Sequence, residues 1–328
     1  MMVLPTSNLA PLVTPTPIPN APDIILAKVA NDWFARHVEK SGLRSASEVR
    51  RYLDQWLLPA WPGRDFESIK RGDVSKLLDH VEDNAGPVAA DKALSIVSRI
   101  TTWHATRHDS YASPIVRGMR RTSVKDRART RILSDDELRA VWKQAEANGT
   151  FGAMVRLLLL TGQRKEKVVS MKWADVNDGV WSIPAEKREK GNAGELKLPD
   201  LAMNIIEAQP RYLDNPFVLV ASTRTGGRFN GNSRSKRDFS AKLRAAGHDL
   251  PQWQLHDLRR TARSLLSRAG VRPDIAERVL GHAITGVEGV YDRHQYAAEK
   301  AHALNALASL IENIVAGNGN GKVVKLRA

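Results

Sequence analysis

Apolar side chains recur at intervals of three and four through the first third of the chain, the spacing that places them on one face of an α-helix. After residue 22 they form three successive stripes: Val49, Leu53, Trp56 and Leu57; then Val74, Leu77, Leu78 and Val81; then Ala93, Ile96, Val97, Ile100 and Trp103. Ser45 and Glu48 have the spacing of a capping box, in which each side chain satisfies a free backbone amide. Few stretches alternate with the period of two that strands require, so we predict an all-helical domain over residues 23–112.

From residue 133 onward, helical stripes alternate with shorter apolar segments. Apolar spacing and helix start and stop signals predict helices at 135–145, 151–160, 201–208, 256–269 and 273–280, a short one opened by a capping box at 285–288, and one carrying Leu304, Leu307, Ile311 and Ile314. Ser134 and Glu137 form the capping box of the first of these helices. Gly162 is expected to close the second, and Asp200 to cap the third.

The strand candidates of this region are few and short. Residues 180–183 and 195–198 flank a glycine-containing turn, which predicts an antiparallel hairpin. Residues 216–220 are expected to form a strand or an extended segment, and 222–238 a basic, glycine-rich loop. The fold class is therefore mainly α: the helical first domain is followed by a mixed, mostly helical domain with a small antiparallel sheet over 133–316.

Composition narrows the class of protein. The 328 residues favour two domains, and 50 Lys plus Arg against 36 Asp plus Glu leave a net charge of +14, so nucleic acid or an anionic membrane surface is the expected partner. No apolar run approaches the ~20 residues that a bilayer requires, which excludes a membrane-spanning protein. The absence of cysteine excludes disulfides, thiolate zinc sites and cysteine nucleophiles, and the N-terminus does not have the pattern of a signal peptide. We expect a cytoplasmic protein that handles DNA or RNA.

Three segments lie outside the two predicted domains. Residues 1–22 contain six prolines and are expected to form a flexible leader, and residues 317–328 form a tail. A linker at 113–132 has the most one-sided charge of the chain, with the single acid Asp126 against Arg117, Arg120, Arg121, Lys125, Arg127, Arg129 and Arg131. Such a run is either a solvated linker or a segment that lies along a phosphate backbone. Both interpretations apply if the linker joins two domains that bind opposite faces of a duplex. We assign these seven cations to DNA binding.

Four short motifs follow one another in the second domain. They are Thr-Gly-Gln-Arg at 161–164, His-Asp-Leu-Arg at 256–259, Leu-Gly-His at 280–282 and, nine residues later, Tyr291. Each is weak alone, since a surface arginine, a solvated helix face, a helix cap and a half-buried aromatic are common. In this order and register they resemble the tyrosine recombinase (phage integrase) family, and the strings around them are similar to integrases of prophages and genomic islands. The resemblance covers roughly residues 130–300, and the preceding helical segment is similar to that family's core-DNA-binding domain.

The residue types suit cleavage of a phosphodiester. Arginine pairs two phosphate oxygens and stays charged, which favours Arg164 and Arg259 as phosphate ligands. Tyrosine is a poor nucleophile at a pKa of ~10, but two neighbouring guanidinium groups would favour the phenolate form of Tyr291. The resemblance implies that Tyr291 forms a 3′-phosphotyrosyl link and frees a 5′-hydroxyl, so that rejoining requires neither cofactor nor metal. It also implies that His256 is a proton acceptor or phosphate ligand and that His282 donates a hydrogen bond to the phosphate.

Two further positions bear on the chemistry: the general acid and the residue three places after the first arginine. The family places a lysine on the hairpin turn, which points to Lys190, although Lys187 remains possible because the preceding stretch is a residue longer than usual. Members commonly have an acid three residues after the first arginine, where this chain has Lys167 beside Glu166. That change implies altered packing, lower activity or compensation by Glu166. Tyr296 is a rival nucleophile, but it lies outside the matching register.

The resemblance also implies how the protein works on DNA. The two domains would close as a clamp around double-stranded attachment sites, four protomers would recombine two sites through a Holliday junction, and accessory DNA-bending proteins could take part in a nucleoid-associated complex. The C-terminal apolar stripe would dock either on a neighbouring protomer or on its own domain. The alternatives are a type IB topoisomerase and a DNA-binding regulator with impaired catalysis, which Lys167 favours. An RNA-binding protein would not explain the motif register.

Overall fold

The computed structural model describes residues 25–123, 125, 128–186, 189, 191–221, 226–231, 233–283, 292 and 294–317. Between Ala128 and Arg129, within the basic linker, the chain divides into two compact units. The predicted leader, the capping box at 285–288 and nearly all of the C-terminal tail lie outside the described residues. None of the helices in the described part of the chain combines the length and apolar character that crossing a membrane requires.

The first unit is helical, as the three apolar stripes predict. Its helices are α1 (Leu26–Trp33), α2 (Ala46–Tyr52), α3 (Leu58–Ala60), α4 (Arg71–Ala85) and α5 (Pro87–Ala105), and π-helical turns extend α1 over Phe34–Glu39 and join α2 to α3 over Leu53–Leu57. Gly86, at φ +84°, separates α4 from α5, and the proline that follows it begins the next helix. The stripes meet in one core, in which Trp33 and Leu53 are fully buried.

The capping box predicted at Ser45 does not form. Ser45 precedes α2, but its side chain makes no capping hydrogen bond. Glu48 instead forms an ion pair with Lys92 on α5, a residue that is far away in the sequence. A long-range partner has therefore replaced the local one that the four-residue pattern favoured.

The second unit is also mainly helical. Its helices are α6 (Asp135–Glu146), α7 (Gly149–Thr161), α8 (Lys165–Val169), α9 (Asp200–Glu207), α10 (Ser233–Ala245), α11 (Leu255–Arg268), α12 (Pro273–Leu280) and α13 (Ala297–Val315). The capping box of α6 is confirmed, because the Glu137 amide donates to Ser134 Oγ and the Ser134 amide to Glu137 Oε2. Gly162 closes α7 in the left-handed conformation, as predicted.

A small antiparallel sheet lies between α8 and α9. It has three strands in the order β1 (Val176–Asn177), β2 (Val180–Ser182) and β3 (Glu195–Lys197), with Trp181 opposite Leu196. The β2–β3 hairpin is the predicted one. β1 was not predicted, because a strand of two residues is too short to show an alternating apolar pattern. The mainly α fold class with a small antiparallel sheet is confirmed.

Two expectations of the second unit are wrong. The loop predicted over 222–238 contains the start of α10, which turns only Phe239 and Leu243 into the core and so lacks a visible apolar stripe. Asp200 is the first residue of α9 rather than its cap, which is Pro199. At this position the carboxylate of Asp200 is still stabilised by the positive end of the helix dipole.

The C-terminal helix α13 packs within its own unit. Leu304, Leu307, Ile311 and Ile314 are fully buried in the same core as α6, α7 and α11. Of the two expectations for this stripe, the structure therefore favours docking on its own domain over exchange with a neighbouring protomer.

Candidate active site

One buried guanidinium joins the ends of three helices. Arg259, in the first turns of α11, is 4% exposed, and its Nη1 donates to Gly162 O at 2.8 Å and to Leu280 O at 3.0 Å. Those carbonyls end α7 and α12. Because Arg164 follows Gly162 by two residues and His282 follows Leu280 by two, this single side chain gathers motifs that are more than a hundred residues apart in the sequence.

The second terminal nitrogen of the same guanidinium is also buried. Arg259 Nη2 is buried and makes no hydrogen bond to any of the residues that the structure describes. Burial, followed by the charge of Arg164, lowers the pKa of Arg259 to about 10, so the group is still a cation at pH 7. A buried cation with an unused donor is costly unless an anion completes its hydrogen bonds.

Arg164 stands at the mouth of this site, with 45% of its side chain exposed. Its Nη1 lies 3.4 Å from Gly191 O on the hairpin and 3.6 Å from Glu189 Oε1. Nearly half of this side chain is therefore open to a ligand that approaches from solvent.

Lys167, at the position of the family's usual acid, has found a carboxylate. It is 7% exposed, and its Nζ donates to Glu189 Oε2 at 2.8 Å and to Pro184 O at 2.7 Å. Burial alone would raise the pKa of Glu189, but the hydrogen bond from Lys167 and the charge of Arg164 lower it overall. Glu189 therefore lies between the two cations as a carboxylate. Glu166, the compensating residue considered from the sequence, faces Lys165 and Arg228 instead.

His256 is exposed at the N-terminal end of α11, on the same side as Arg259. Partial desolvation and the nearby charges of Arg260 and Arg259 lower its pKa, so the imidazole is neutral at pH 7 and able to accept a proton. The N-terminus of a helix of this length also adds a positive potential, which favours an anion.

Asp257 fixes the start of α11. It is fully buried and accepts from the Gln254 amide at 2.8 Å and from Arg129 Nη2 at 2.8 Å. Burial would raise the pKa of this carboxyl, but the hydrogen bonds from Arg129 and Gln254 lower it overall. The carboxylate thereby holds the turn that carries His256.

The imidazole of His282 is oriented by a carboxylate on α12. Its Nδ1 contacts Glu277 Oε2, and the Glu277 carboxylate also accepts from Arg263 Nε at 2.8 Å. The side chain of His282 is 43% exposed, so its other ring nitrogen can face a ligand.

The glycine between α12 and His282 has a steric role. Gly281 has φ +68°, and a Cβ there would lie 2.8 Å from the Asn192 carbonyl carbon. The hairpin turn thus packs directly on the Leu-Gly-His motif. Lys300 on α13 holds the same turn, because its buried Nζ donates to Ala193 O at 2.7 Å.

Three residues assigned from the sequence, Tyr291, Lys190 and the alternative Lys187, lie outside the described residues. The residue after Tyr291 is described: Asp292 accepts from Arg278 Nη2 at 2.6 Å and from the Tyr296 hydroxyl at 2.8 Å. The hydrogen bond to Asp292, together with desolvation, raises the pKa of Tyr296. A tyrosine whose proton is held by a carboxylate is a weaker nucleophile, which counts against Tyr296 as the rival.

A groove of about 590 Å³ runs from Arg259 and His256 to α10. Lys236 in this groove lies 3.6 Å from the centre of the Trp253 ring and donates to Ser240 Oγ at 2.6 Å. Burial lowers the pKa of Lys236 to about 8. Lys236 is therefore a cation of the groove at neutral pH that loses its charge in mildly alkaline solution.

The linker cations differ in their surroundings. Arg121 pairs with Asp79 and Glu82, Arg129 with Asp257, and Arg131 with Glu137. Arg117, Arg120 and Lys125 are exposed, while Arg127 lies outside the described residues. The assignment of all seven to DNA binding remains a prediction, and the three exposed ones have the most freedom to reach a phosphate.

Sequence reasoning missed Glu189 and Lys236. Glu189 stands among cations in Glu-Lys-Arg-Glu-Lys, where nothing local separates it from Glu186. A signal did exist, since a lysine at a position that normally has an acid needs a carboxylate partner. Lys236 was missed because α10 was expected to be a loop.

Comparison with known proteins identifies the family and the fold. The model of the phage integrase family matches residues 131–298. The prophage integrase IntZ of Escherichia coli strain K12 is 26% identical over 299 residues, which cover 89% of this chain and 72% of that relative. Among solved structures, a lambda integrase tetramer bound to a Holliday junction has a TM-score of 0.63 at 16% identity, covering 83% of this chain and 80% of that one. The Tn1549 transposon integrase in complex with circular intermediate DNA has a TM-score of 0.57 at 14% identity, covering 83% and 96%.

The region matched by the family model defines the class of protein. The chain belongs to the phage integrase family, and it is a tyrosine site-specific recombinase. The family resemblance drawn from the motif register is confirmed.

Proposed function

We propose that this protein cuts and rejoins duplex DNA through a covalent 3′-phosphotyrosyl intermediate, with Arg164, His256, Arg259 and His282 holding the scissile phosphate. The observation that carries the proposal is the buried Nη2 of Arg259, which is positively charged and has no partner among the described residues. A phosphate oxygen would complete its hydrogen bonds. The charges of Arg259 and Arg164 both act on the pKa of His256, so these cations lie close to its imidazole and could share one phosphate with it.

Each proposed step forms one phosphorus–oxygen ester bond and breaks another. The Tyr291 oxygen attacks phosphorus and the bond to the 5′-oxygen breaks, while His256 accepts the tyrosine proton and Lys190 protonates the leaving 5′-oxygen. A 5′-hydroxyl from another strand then attacks the phosphotyrosine and releases Tyr291. The two arginines stabilise the charge that develops on the non-bridging oxygens, and His282 donates to one of them.

The pair of Lys167 and Glu189 supports the site in place of the usual acid. Glu189 contacts Lys167 at 2.8 Å and approaches Arg164 at 3.6 Å, so its carboxylate can orient the exposed guanidinium. We propose Glu189 as a positioning residue for Arg164. This arrangement favours an active enzyme over a DNA-binding regulator with impaired catalysis.

The first unit would act as the core-DNA-binding domain, with the second as the catalytic domain. The exposed linker cations Arg117, Arg120 and Lys125 would contact phosphates. By analogy with the lambda integrase tetramer on a Holliday junction, four protomers would exchange strands between two sites, and accessory DNA-bending proteins could take part.

Covalent trapping tests the proposal. Purified protein is incubated with DNA spanning the junctions of the element that encodes it, denatured and analysed beside the Tyr291→Phe variant. We expect a slowly migrating adduct with the parent protein and none with Tyr291→Phe, because only a covalent bond survives denaturation.

The Tyr296→Phe variant is the matched control, because its hydroxyl is already donated to Asp292, and its adduct should persist. An adduct that persists in Tyr291→Phe and disappears in Tyr296→Phe would contradict the assignment of the nucleophile. If the native protein forms the adduct and relaxes supercoiled DNA but gives no recombinant product, a type IB topoisomerase would be indicated instead.

A further inference from the structure

A cluster of one carboxylate and two imidazoles lies in the first unit, outside the catalytic unit. His104 Nε2 lies 2.9 Å from Glu67 Oε1, and His108 Nδ1 lies 3.9 Å from the same oxygen. One ligand atom from each of the three residues falls within 4.8 Å of the other two. The chain thus brings two nitrogens and one oxygen to a common point.

Local structure explains why the imidazoles converge. His104 is in the last turn of α5, and His108 lies just after the end of this helix at Ala105, where the chain turns back beside His104. Their rings stack with centroids 3.9 Å apart and an interplanar angle of 17°, which places the two imidazoles side by side. Glu67 comes from the segment between α3 and α4, and its Oε1 approaches one nitrogen of each ring.

The spacing suits a tetrahedral metal. Ligands at 2.0–2.1 Å from zinc are separated by about 3.4 Å in a tetrahedron, and the observed separations of 2.9 and 3.9 Å from Glu67 Oε1 lie on either side of that value. Rotation of the two imidazoles out of their stacked arrangement would bring the three atoms to bonding distance around one ion. Two imidazoles and one carboxylate are a ligand set that zinc and neighbouring divalent transition metals prefer over calcium or magnesium.

The surroundings of the cluster resemble a half-enclosed metal site. His104 is 2% exposed, whereas Glu67 and His108 are 34% and 39% exposed, which leaves a path from solvent. Phe66 packs edge-on against His104 at 4.8 Å between ring centroids, on the closed side. Tyr111 lies against the same imidazole, and its buried hydroxyl makes no hydrogen bond to any described residue. That unused donor could serve a ligand of the metal.

We propose that Glu67, His104 and His108 bind one divalent transition-metal ion of the zinc class, with water in the fourth position. The ion would join the end of α5 to the segment before α4, two parts of the first unit that are 37 residues apart. Because the free chain cannot preform such a site when unfolded, binding stabilises the folded first unit. The site is independent of the DNA-cleaving chemistry of the second unit.

The test is titration of the full-length, chelator-treated protein with ZnCl₂ by calorimetry and thermal unfolding. Calorimetry should show zinc binding that depends on the cluster. The midpoint temperature of thermal unfolding of the first unit should rise by about 5 °C or more at saturating zinc. Cobalt(II) substituted into the same protein should show the visible absorption of tetrahedral coordination.

His108→Gln and Glu67→Gln are the decisive variants, because both side chains are partly exposed and the fold does not depend on burying them. Each should weaken zinc binding by at least about tenfold and remove the zinc-dependent shift in the unfolding midpoint. His80→Gln, an exposed histidine on α4 in the same unit, should bind zinc like the parent. Absence of zinc binding to the parent, or equal affinity and equal stoichiometry in both cluster variants, would overturn the proposal.

Discussion

At the scale of single residues, the candidate site depends on charges whose partners lie far away in the sequence. Arg259 is buried, and its Nη2 has no hydrogen-bond partner in the part of the chain that the structure describes, whereas Asp257 nearby is buried with cationic partners. The departure at Lys167 is compensated in the same way, through Glu189. A substitution at either member of a buried pair leaves the other charge without its partner, which costs more than the pair itself contributes.

A double-mutant cycle measures the coupling between Lys167 and Glu189. Glu189→Gln and Lys167→Gln should each lower the free energy of unfolding by about 1–3 kcal/mol, whereas the double variant should lose less than the sum. Urea denaturation gives the stability, and the rate of adduct formation gives the effect on Arg164. Strict additivity of the two single changes would show that the contact carries no energy.

At the scale of elements, the site exists where helix ends meet the β2–β3 hairpin. Gly281 ends α12 in the left-handed conformation and lets the hairpin turn approach its backbone. The C-terminal helix α13 supports the same turn through Lys300. Elements on both sides of the site are therefore needed to place it.

Gly281→Ala should both destabilise the second unit and slow DNA cleavage. Gly270→Ala is the matched control, because Gly270 has a similar φ of +78° but open space around its Cβ position. The backbone strain costs about 1–2 kcal/mol at either position, and only Gly281→Ala adds the collision with the hairpin. Equal losses of stability and equal cleavage rates in the two variants would argue against a packing role.

Leu307→Ala tests where α13 docks. Because Leu307 is fully buried in its own unit, the variant should lose about 2–5 kcal/mol of unfolding free energy as a monomer. Asn305→Ala, at an exposed position on the same helix, should change stability by less than about 0.5 kcal/mol. An unchanged monomer stability combined with loss of assembly on DNA would favour exchange of the helix between protomers.

At the scale of the whole molecule, charge governs the encounter with DNA. The net charge of +14 predicts an affinity that falls steeply with salt. Most lysines keep their charge to about pH 10, but Lys236 has a pKa of about 8. Its contribution to phosphate binding is present below that pH and is lost as the pH rises through it.

DNA affinity should therefore fall between pH 7 and pH 9 at constant salt. If DNA binding requires protonated Lys236, the affinity for DNA falls by up to tenfold for each pH unit above the pKa of about 8. Lys236→Arg keeps the positive charge and should flatten the profile, as measured by fluorescence anisotropy with a labelled duplex. A parent profile that is already flat across this range would exclude Lys236 from the DNA contact.

The sequence by itself determined the helices with strong apolar stripes, the capping box at Ser134, the hairpin and the order of the motifs. The helices, the capping box and the hairpin depend mainly on residues close together in the sequence, whose interactions form where no distant partner competes for them. Only the tertiary structure decided the partner of Glu48, the carboxylate that faces Lys167 and the unit that buries α13. It also decided the meeting of Glu67 with two histidines. Such contacts depend on which elements meet in the folded core, and local patterns carry no information about that.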